Sequence, residues 1–371
     1  MTQQHASIPS GAPHQALPMP SVPMPRVPLP IQAREYHHFW RTPLLRWWRP
    51  VVAVVLGLFA FIVVTIAATT VAMGLDVASG RIDTSVLESM GPDDIKATPA
   101  LFLANNVALA LLIPISMLLS RWIFRQGPGW LASVTGRMRW GWMGRCFLVL
   151  TPLWAIWLGL EAVLVSRFGE GMDLAVNDDT WLLLVGILLT TPFQAAGEEY
   201  AFRGVLNRSA ASFFGNRWVA VVVGALFSST LFMFAHGAGD MWLNIFYFCF
   251  GLIACAMTVR TGGIEAAIAM HVVNNVLSEL TMPFSDISGI FDRQAGTADA
   301  TVLIGVVVPL IGWALVEWMA RKHRPQVSSA PGREHQQMLD EQLANWQRQV
   351  LEWEGRQAAA SQQYPQQQYP Q

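Results

Sequence analysis

The chain has 371 residues, of which 53% are apolar and only 13% charged, and its 24 Lys and Arg nearly balance 25 Asp and Glu to leave a net charge of −1. That composition excludes an ordinary soluble domain; the near-zero net charge itself says nothing about nucleic acid, and no nucleic-acid partner is expected. Several uninterrupted apolar stretches reach the ~20 residues needed to cross ~30 Å of hydrocarbon, so the expected fold class is all-α, a polytopic transmembrane helical bundle.

In chain order, residues 1–38 are expected to form a disordered cytoplasmic arm, because "LPMPSVPMPRVPLP" from Leu17 to Pro30 favours extended polyproline-like backbone. The long Pro-rich start has the wrong composition for a cleavable signal. Residues 39–324 read as one membrane domain with eight spans: Val51 to Met73, Ala100 to Leu119, Cys146 to Val165, Thr180 to Ala196, Val219 to Ala235, Met241 to Val259, Gly263 to Leu280 and Thr301 to Met319. Loop charge alternates along the chain. Arg41, Arg46 and Arg49 precede the first span; Arg121, Arg137, Arg139 and Arg145 follow the second; Arg203, Arg208 and Arg217 follow the fourth; Arg321 and Lys322 follow the last. The intervening loops are acidic, with Glu88, Asp93 and Asp94, then Glu170, Asp173 and Asp179, then Asp286, Asp292 and Asp299. Cytoplasmic loops collect Lys and Arg, so both termini are expected in the cytoplasm.

Trp47, Trp48, Trp122, Trp181, Trp218, Trp242 and Trp318 fall at span ends, where an amphipathic ring suits the headgroup level. Cys146, Cys249 and Cys255 lack metal spacing and read as small hydrophobes. Residues 325–371 form a cytoplasmic tail in which Leu339, Leu343, Trp346, Val350 and Trp353 make one apolar stripe on a helix over about 336–354, before a Gln/Tyr/Pro-rich end. Self-association through this helix, lying on the membrane surface and folding back onto the bundle are the three uses the stripe leaves open.

Polar residues inside the bundle carry the functional signal, because an ionisable group in hydrocarbon is expensive. In "GEEYAFRG", Glu199 and Arg203 stand four apart with the acid first, the favourable order for a helical ion pair. Glu198 points elsewhere on the helix and is left free. "FMFAH" puts Phe232 and His236 on one face, and "HVVNN" does the same for His271 and Asn275. Taken singly each is as readily a packing residue. Three spans that each supply Glu or His suggest a metal site, a proton relay or a water-activating pair. Asn105, Asn106 and Asn244 read as interhelical hydrogen-bonding partners, and Pro114, Pro192 and Pro309 as bends, with Pro192 placed to re-aim Glu198.

These motifs resemble those of the CPBP family, which comprises CAAX prenyl endopeptidases of the Ras-converting type and bacteriocin-processing, immunity-associated (Abi-type) proteins. Its EExxxR motif stands as Glu198, Glu199 and Arg203, its FxxxH as Phe232 and His236, and its HxxxN as His271 and Asn275. The resemblance implies an intramembrane endopeptidase acting on a membrane-associated peptide or protein. Glu198 would be the general base and His236 would position and polarise the water. His271 and Asn275 would stabilise the oxyanion, while Glu199 with Arg203 would hold the site together. The alternative in the same fold is metal hydrolysis, with zinc held by His236, His271 and Glu198; the family is often described as metalloproteases, and a metal-free mechanism has also been put forward for it. A non-catalytic immunity or scaffold protein of the same fold, and a proton-coupled transporter, are the rival readings. Membrane lipid is the surrounding partner, and the Arg-rich inner loops fit a multi-pass protein of the plasma membrane. Counting ~1.5 Å per residue puts His236 nearly 30 Å from Arg217, while His271 lies only about 12 Å deep. The start of the fifth span is therefore expected below the bilayer core, packed against protein, with the site opening to the cytoplasmic half through a water-filled cavity.

Overall fold

The computed structural model describes residues 26–83, 96–168, 174–289 and 293–363. Part of the Pro-rich arm, the acidic loop residues Glu88, Asp93, Asp94, Glu170, Asp173 and Asp292, and the chain from 364 onward lie outside these. Among the described residues, seven helices are long and apolar enough to cross a membrane: α1 (Trp48–Ala78), α2 (Pro99–Ile123), α3 (Trp140–Arg167), α4 (Thr180–Ala211), α5 (Arg217–Ala235), α6 (Met241–Thr261) and, after one further helix, Ala300–His323. The chain is a multi-pass integral membrane protein with an all-helical fold.

That further helix, α7 (Glu265–Ser278), corrects the expected seventh span. It has 14 residues, ~21 Å of helix against ~30 Å of hydrocarbon, and continues only as a 3-10 turn, Glu279–Phe284. The reason is burial. Every residue from Glu265 to Val273 is buried, and Ala266, Ala267, Ala269 and Met270 share one apolar core with α3, α4, α5, α6 and α8 (Val307–His323). A helix sheathed in protein has no bilayer thickness to match, and its small alanines let its neighbours close in.

The fourth span also runs further than hydropathy suggests. The α-helical hydrogen bonding of Thr180–Glu199 gives way to a π-helical turn, Tyr200–Leu206, and resumes over Asn207–Ala211. Arg203 and Arg208, expected in an inner loop, therefore lie within the helix, and both are fully buried. Arg208 stacks its guanidinium 3.7 Å over Tyr36, so aromatic faces solvate the charge where water does not.

Packing sets where α4 lies. Pro114 offers no N–H to Ala110, and the bonding of α2 breaks at Leu111, between Pro99–Ala110 and Leu112–Ile123. Gly197 sits against that break: a Cβ there would lie 2.0 Å from the Leu109 carbonyl oxygen. The residue just before the two glutamates is thus a glycine because another backbone occupies the space. Pro192, by contrast, is carried inside continuous helix, and the change of geometry comes after Glu199.

The N-terminal segment is built into the bundle. Strand β1 (Arg34–Glu35) pairs antiparallel with β2 (Ser328–Ser329), and Tyr36, His37, His38, Phe39 and Trp40 are all buried. The Tyr36 hydroxyl donates to the Leu131 carbonyl at 2.5 Å, and Trp40 stacks on Phe124 at 3.7 Å. The domain boundary expected at residue 38 thus falls inside a packed aromatic run, whose apolar rings outweigh the disorder tendency of the proline-rich chain before it. The start of α5 rests against this segment: Arg217 donates to both oxygens of Glu35 at 2.7 and 2.9 Å. The C-terminal helix α9 (Arg333–Gln363), which belongs to a different unit from Pro28–Gly332, extends beyond both ends of the expected 336–354.

Candidate active site

Three neighbouring elements supply the site: the end of the first part of α4, the last turn of α5 and the middle of α7. At Glu199 the local geometry follows from its neighbours in the chain. Arg203 Nη1 donates to Glu199 Oε1 at 2.9 Å, with both side chains fully buried, and Arg203 Nη2 donates to the Gly251 carbonyl at 3.2 Å. The pair lies where α-helical bonding becomes π-helical, with the Asn207 N–H reaching the Phe202 carbonyl. Such turns recur at functional sites because they rotate the side chains that follow.

His271 joins both glutamates. Its Nδ1 is 2.8 Å from Glu199 Oε1, and its Nε2 is 3.3 Å from Glu198 Oε2. Glu199 Oε1 also accepts from Arg203, so in this contact the His271 Nδ1–H is the donor. Nε2 is turned toward Glu198 Oε2 without forming an aligned hydrogen bond to it. Glu198 itself is 6% exposed. Its Oε1 accepts from Gln194 Nε2 at 3.0 Å, whereas Oε2 has no aligned hydrogen-bond donor.

Gln194 is the end of a directed chain of amides. Trp154 Nε1 donates to Asn274 Oδ1 at 3.1 Å, Asn274 Nδ2 to Asn275 Oδ1 at 3.0 Å, Asn275 Nδ2 to Gln194 Oε1 at 3.0 Å, and Gln194 to Glu198. Each amide donates one way, so the orientation of every member is fixed by the carboxylate at the end. Asn275 has one N–H so engaged and a second left over.

Phe232 is the hub through which His236 enters. Its ring centroid lies 4.6 Å from His236, 5.7 Å from His271 and 4.7 Å from the Arg203 guanidinium carbon. His236 Nδ1 donates to the Phe232 carbonyl at 2.8 Å and its ring stacks on Tyr247 at 3.8 Å, leaving Nε2 to accept. The structure thus brings Glu198, Glu199, Arg203, Gln194, His271 and Asn275 into direct contact and places His236 beside them across one aromatic ring.

Sequence reasoning missed Gln194, Asn274, Trp154 and Tyr247. Gln194 had a signal, since it stands one turn before Glu198 on the same face. It also missed Glu279, one turn beyond Asn275, whose Oε2 accepts from Thr191 at 2.7 Å. Asn106, read as an interhelical partner, does reach α4, donating to Thr190 and Thr191 at 3.0 and 3.1 Å, whereas Asn244 donates to the nearby Ala238 carbonyl at 2.8 Å.

A zinc site on His236, His271 and Glu198 asks for three free donor atoms around one point. As placed, both nitrogens of His271 face carboxylates and Nδ1 of His236 faces a carbonyl. Among the described residues no three His, Cys, Asp or Glu side chains gather into a metal-holding group. The chemistry below is that of the side chains themselves.

Fold and site together define a multi-pass membrane bundle with a carboxylate–imidazole centre in its interior. Residues 180–277 match the family model described as type II CAAX prenyl endopeptidase Rce1-like. That interval runs from the start of α4 almost to the end of α7 and contains all three motifs, so the family resemblance is established over the segment that carries the site. Over 151 residues the chain is also 26% identical to "Uncharacterized protein YyaK" of Bacillus subtilis (strain 168), a match covering 39% of this chain and 50% of that protein. The chain thus spans about half the length of this relative. No solved structure matches the chain.

Proposed function

We propose that the protein is an intramembrane endopeptidase in which Glu198 activates water against a peptide bond of a membrane-associated peptide or protein. The observation that carries this reading is the split environment of Glu198: one oxygen is oriented by Gln194, and the other is buried, without an aligned donor, and 3.3 Å from His271. A carboxylate so arranged can take a proton from water at the free oxygen. The water oxygen then bonds to the scissile carbonyl carbon, the C–N bond breaks, and Glu198 returns the proton to the leaving amine. His236 Nε2, a lone pair, accepts from the water and turns it toward the carbonyl. The developing oxyanion is met by the unengaged N–H of Asn275 and by His271 when its Nε2 carries a proton. Glu199 and Arg203 fix the His271 ring. Water and substrate reach this point from the cytoplasmic half of the plasma membrane in this reading.

The test is cleavage of a membrane-anchored reporter peptide by the full chain in liposomes. Glu198→Gln keeps the shape and the Gln194 contact and is expected to reduce turnover to background while the thermal unfolding midpoint stays within a few degrees. Undiminished cleavage by Glu198→Gln would remove Glu198 as the base. A wild-type protein that folds but cleaves no member of a membrane-peptide library would favour a non-catalytic role for the fold.

A further inference from the structure

Ahead of α1, the chain folds around an open cleft of about 360 Å³ whose walls include Gln32, Arg34, Arg41 and Thr42. The cleavage chemistry makes no use of it. Arg41 Nη1 donates to the Ser212 carbonyl at 2.7 Å, while its Nε is buried with no partner. Burial first, and then the Arg34 guanidinium, push Arg41 down from the ordinary arginine value. Arg34 Nη2 donates to the neutral Gln32 at 3.3 Å. The adjacent carboxylate, Glu35, is taken by Arg217 through both oxygens. Among the described residues, no ion pair includes Arg34 or Arg41. Two guanidiniums facing one cleft without a counter-ion make a site for an anion with several acceptor oxygens, which the planar guanidinium fork matches.

The place of the cleft selects the anion's source. Arg41 is followed closely by Arg46, Trp47 and Trp48, and Trp47 is 74% exposed. These lead into α1, which has 31 residues and only 6% of its most apolar window buried by protein. That helix faces lipid, and at ~46 Å it is longer than the hydrocarbon, so its ends reach the headgroups, where tryptophans settle. We propose that the cleft binds the phosphodiester headgroup of an anionic membrane lipid, with Arg34 and Arg41 as its ligands. This inference is independent of the peptidase reading.

The full chain is reconstituted in liposomes of equal phosphatidylglycerol and phosphatidylcholine and extracted in detergent, and the lipids it retains are quantified by mass spectrometry. Wild type is expected to enrich phosphatidylglycerol, and Arg34→Gln to lower that enrichment about fivefold, the usual contribution of one basic side chain at a membrane surface. Arg34 holds no backbone carbonyl, so this variant is expected to unfold at the wild-type temperature. Arg46→Gln, outside the cleft walls, is expected to leave the enrichment unchanged. Equal retention of the two lipids by wild type, enrichment that survives Arg34→Gln, or an equal drop in Arg46→Gln would each overturn the proposal. Loss of bound lipid on adding millimolar inorganic phosphate would overturn the lipid assignment in favour of a free-phosphate site.

Discussion

A carboxylate that takes a proton from water needs one oxygen held and the other left open, and Gln194 supplies the hold on Glu198 at 3.0 Å. An amide suits this task better than a cation would, because it orients the carboxylate without neutralising it. Gln194 also accepts from Asn275, so it ties the expected base to an expected oxyanion donor. Replacing Gln194 with Leu leaves the Asn275 N–H without its acceptor and Glu198 without its donor. Unmaking buried hydrogen bonds costs ~1–3 kcal/mol, so kcat is expected to fall roughly 10- to 100-fold with KM little changed. Measured on the reporter peptide, the double variant with Asn274→Ala is expected to lose little more than Gln194→Leu alone, since both break one chain. Independent, multiplying losses would show that the two residues do not act as a unit.

At the scale of single elements, two packing arrangements decide whether the site assembles. The first is the contact of α4 with the broken helix α2, where a Cβ on Gly197 would lie 2.0 Å from the Leu109 carbonyl oxygen. Gly197→Ala must push the helices apart at the residue before Glu198. It is expected to destabilise by ~1–3 kcal/mol, the usual cost of overpacking, and to lower activity per folded molecule as well. Gly159→Ala, in the middle of α3 with nothing within 4 Å of the added carbon, is expected to be neutral or stabilising by up to ~1 kcal/mol in the same thermal assay. The second arrangement is the buried segment Tyr36–Trp40. Burial, reinforced by His38, Arg217 and Arg208, holds His37 down at about 3 against an ordinary 6.5. The folded protein therefore keeps His37 neutral, while the unfolded chain takes up a proton below pH 6.5. Stability from this group is fully present above that pH and falls by ~1.4 kcal/mol per unit of acidification toward the folded value. Unfolding midpoints measured from pH 7.5 downward are expected to drop, and His37→Leu is expected to flatten the drop; an unaltered slope in that variant would assign the pH dependence to other groups.

For the molecule as a whole, hydropathy made the lipid-facing helices legible, because crossing ~30 Å of hydrocarbon imposes a length that can be counted. Motif spacing made Glu198, Glu199, Arg203 and His271 legible, because helical periodicity fixes which side chains share a face. The rest was hidden for physical reasons. Once α7 is sheathed in protein its length is unconstrained, so the span rule misjudges it. Gln194, Asn274 and Trp154 carry no charge and look like ordinary residues of an apolar run. An arginine near a span end has the same spelling whether it reaches headgroups or turns inward, and Arg139, read as an inner-loop cation, is the telling case. Its Nε and Nη2 each lie 2.7 Å from Glu265, which is fully buried, while its Nη1 donates to the carbonyls of Thr261 and Gln326 at 2.9 and 3.0 Å. One guanidinium thereby joins the start of α3, the end of α6, the start of α7 and the chain leaving α8, and it sets the height of the helix that carries His271. Glu265→Ala strips the bidentate partner from a charge that is 13% exposed, and removing one member of a buried pair costs ~3–5 kcal/mol. Replacing both partners, Arg139→Met with Glu265→Leu, is expected to cost less than Glu265→Ala alone, because no charge is left unpaired. If unfolding of the full chain in detergent instead shows the double variant less stable than Glu265→Ala, then Arg139 contributes chiefly through its two carbonyl contacts, and the loops, not the ion pair, hold α7 in place.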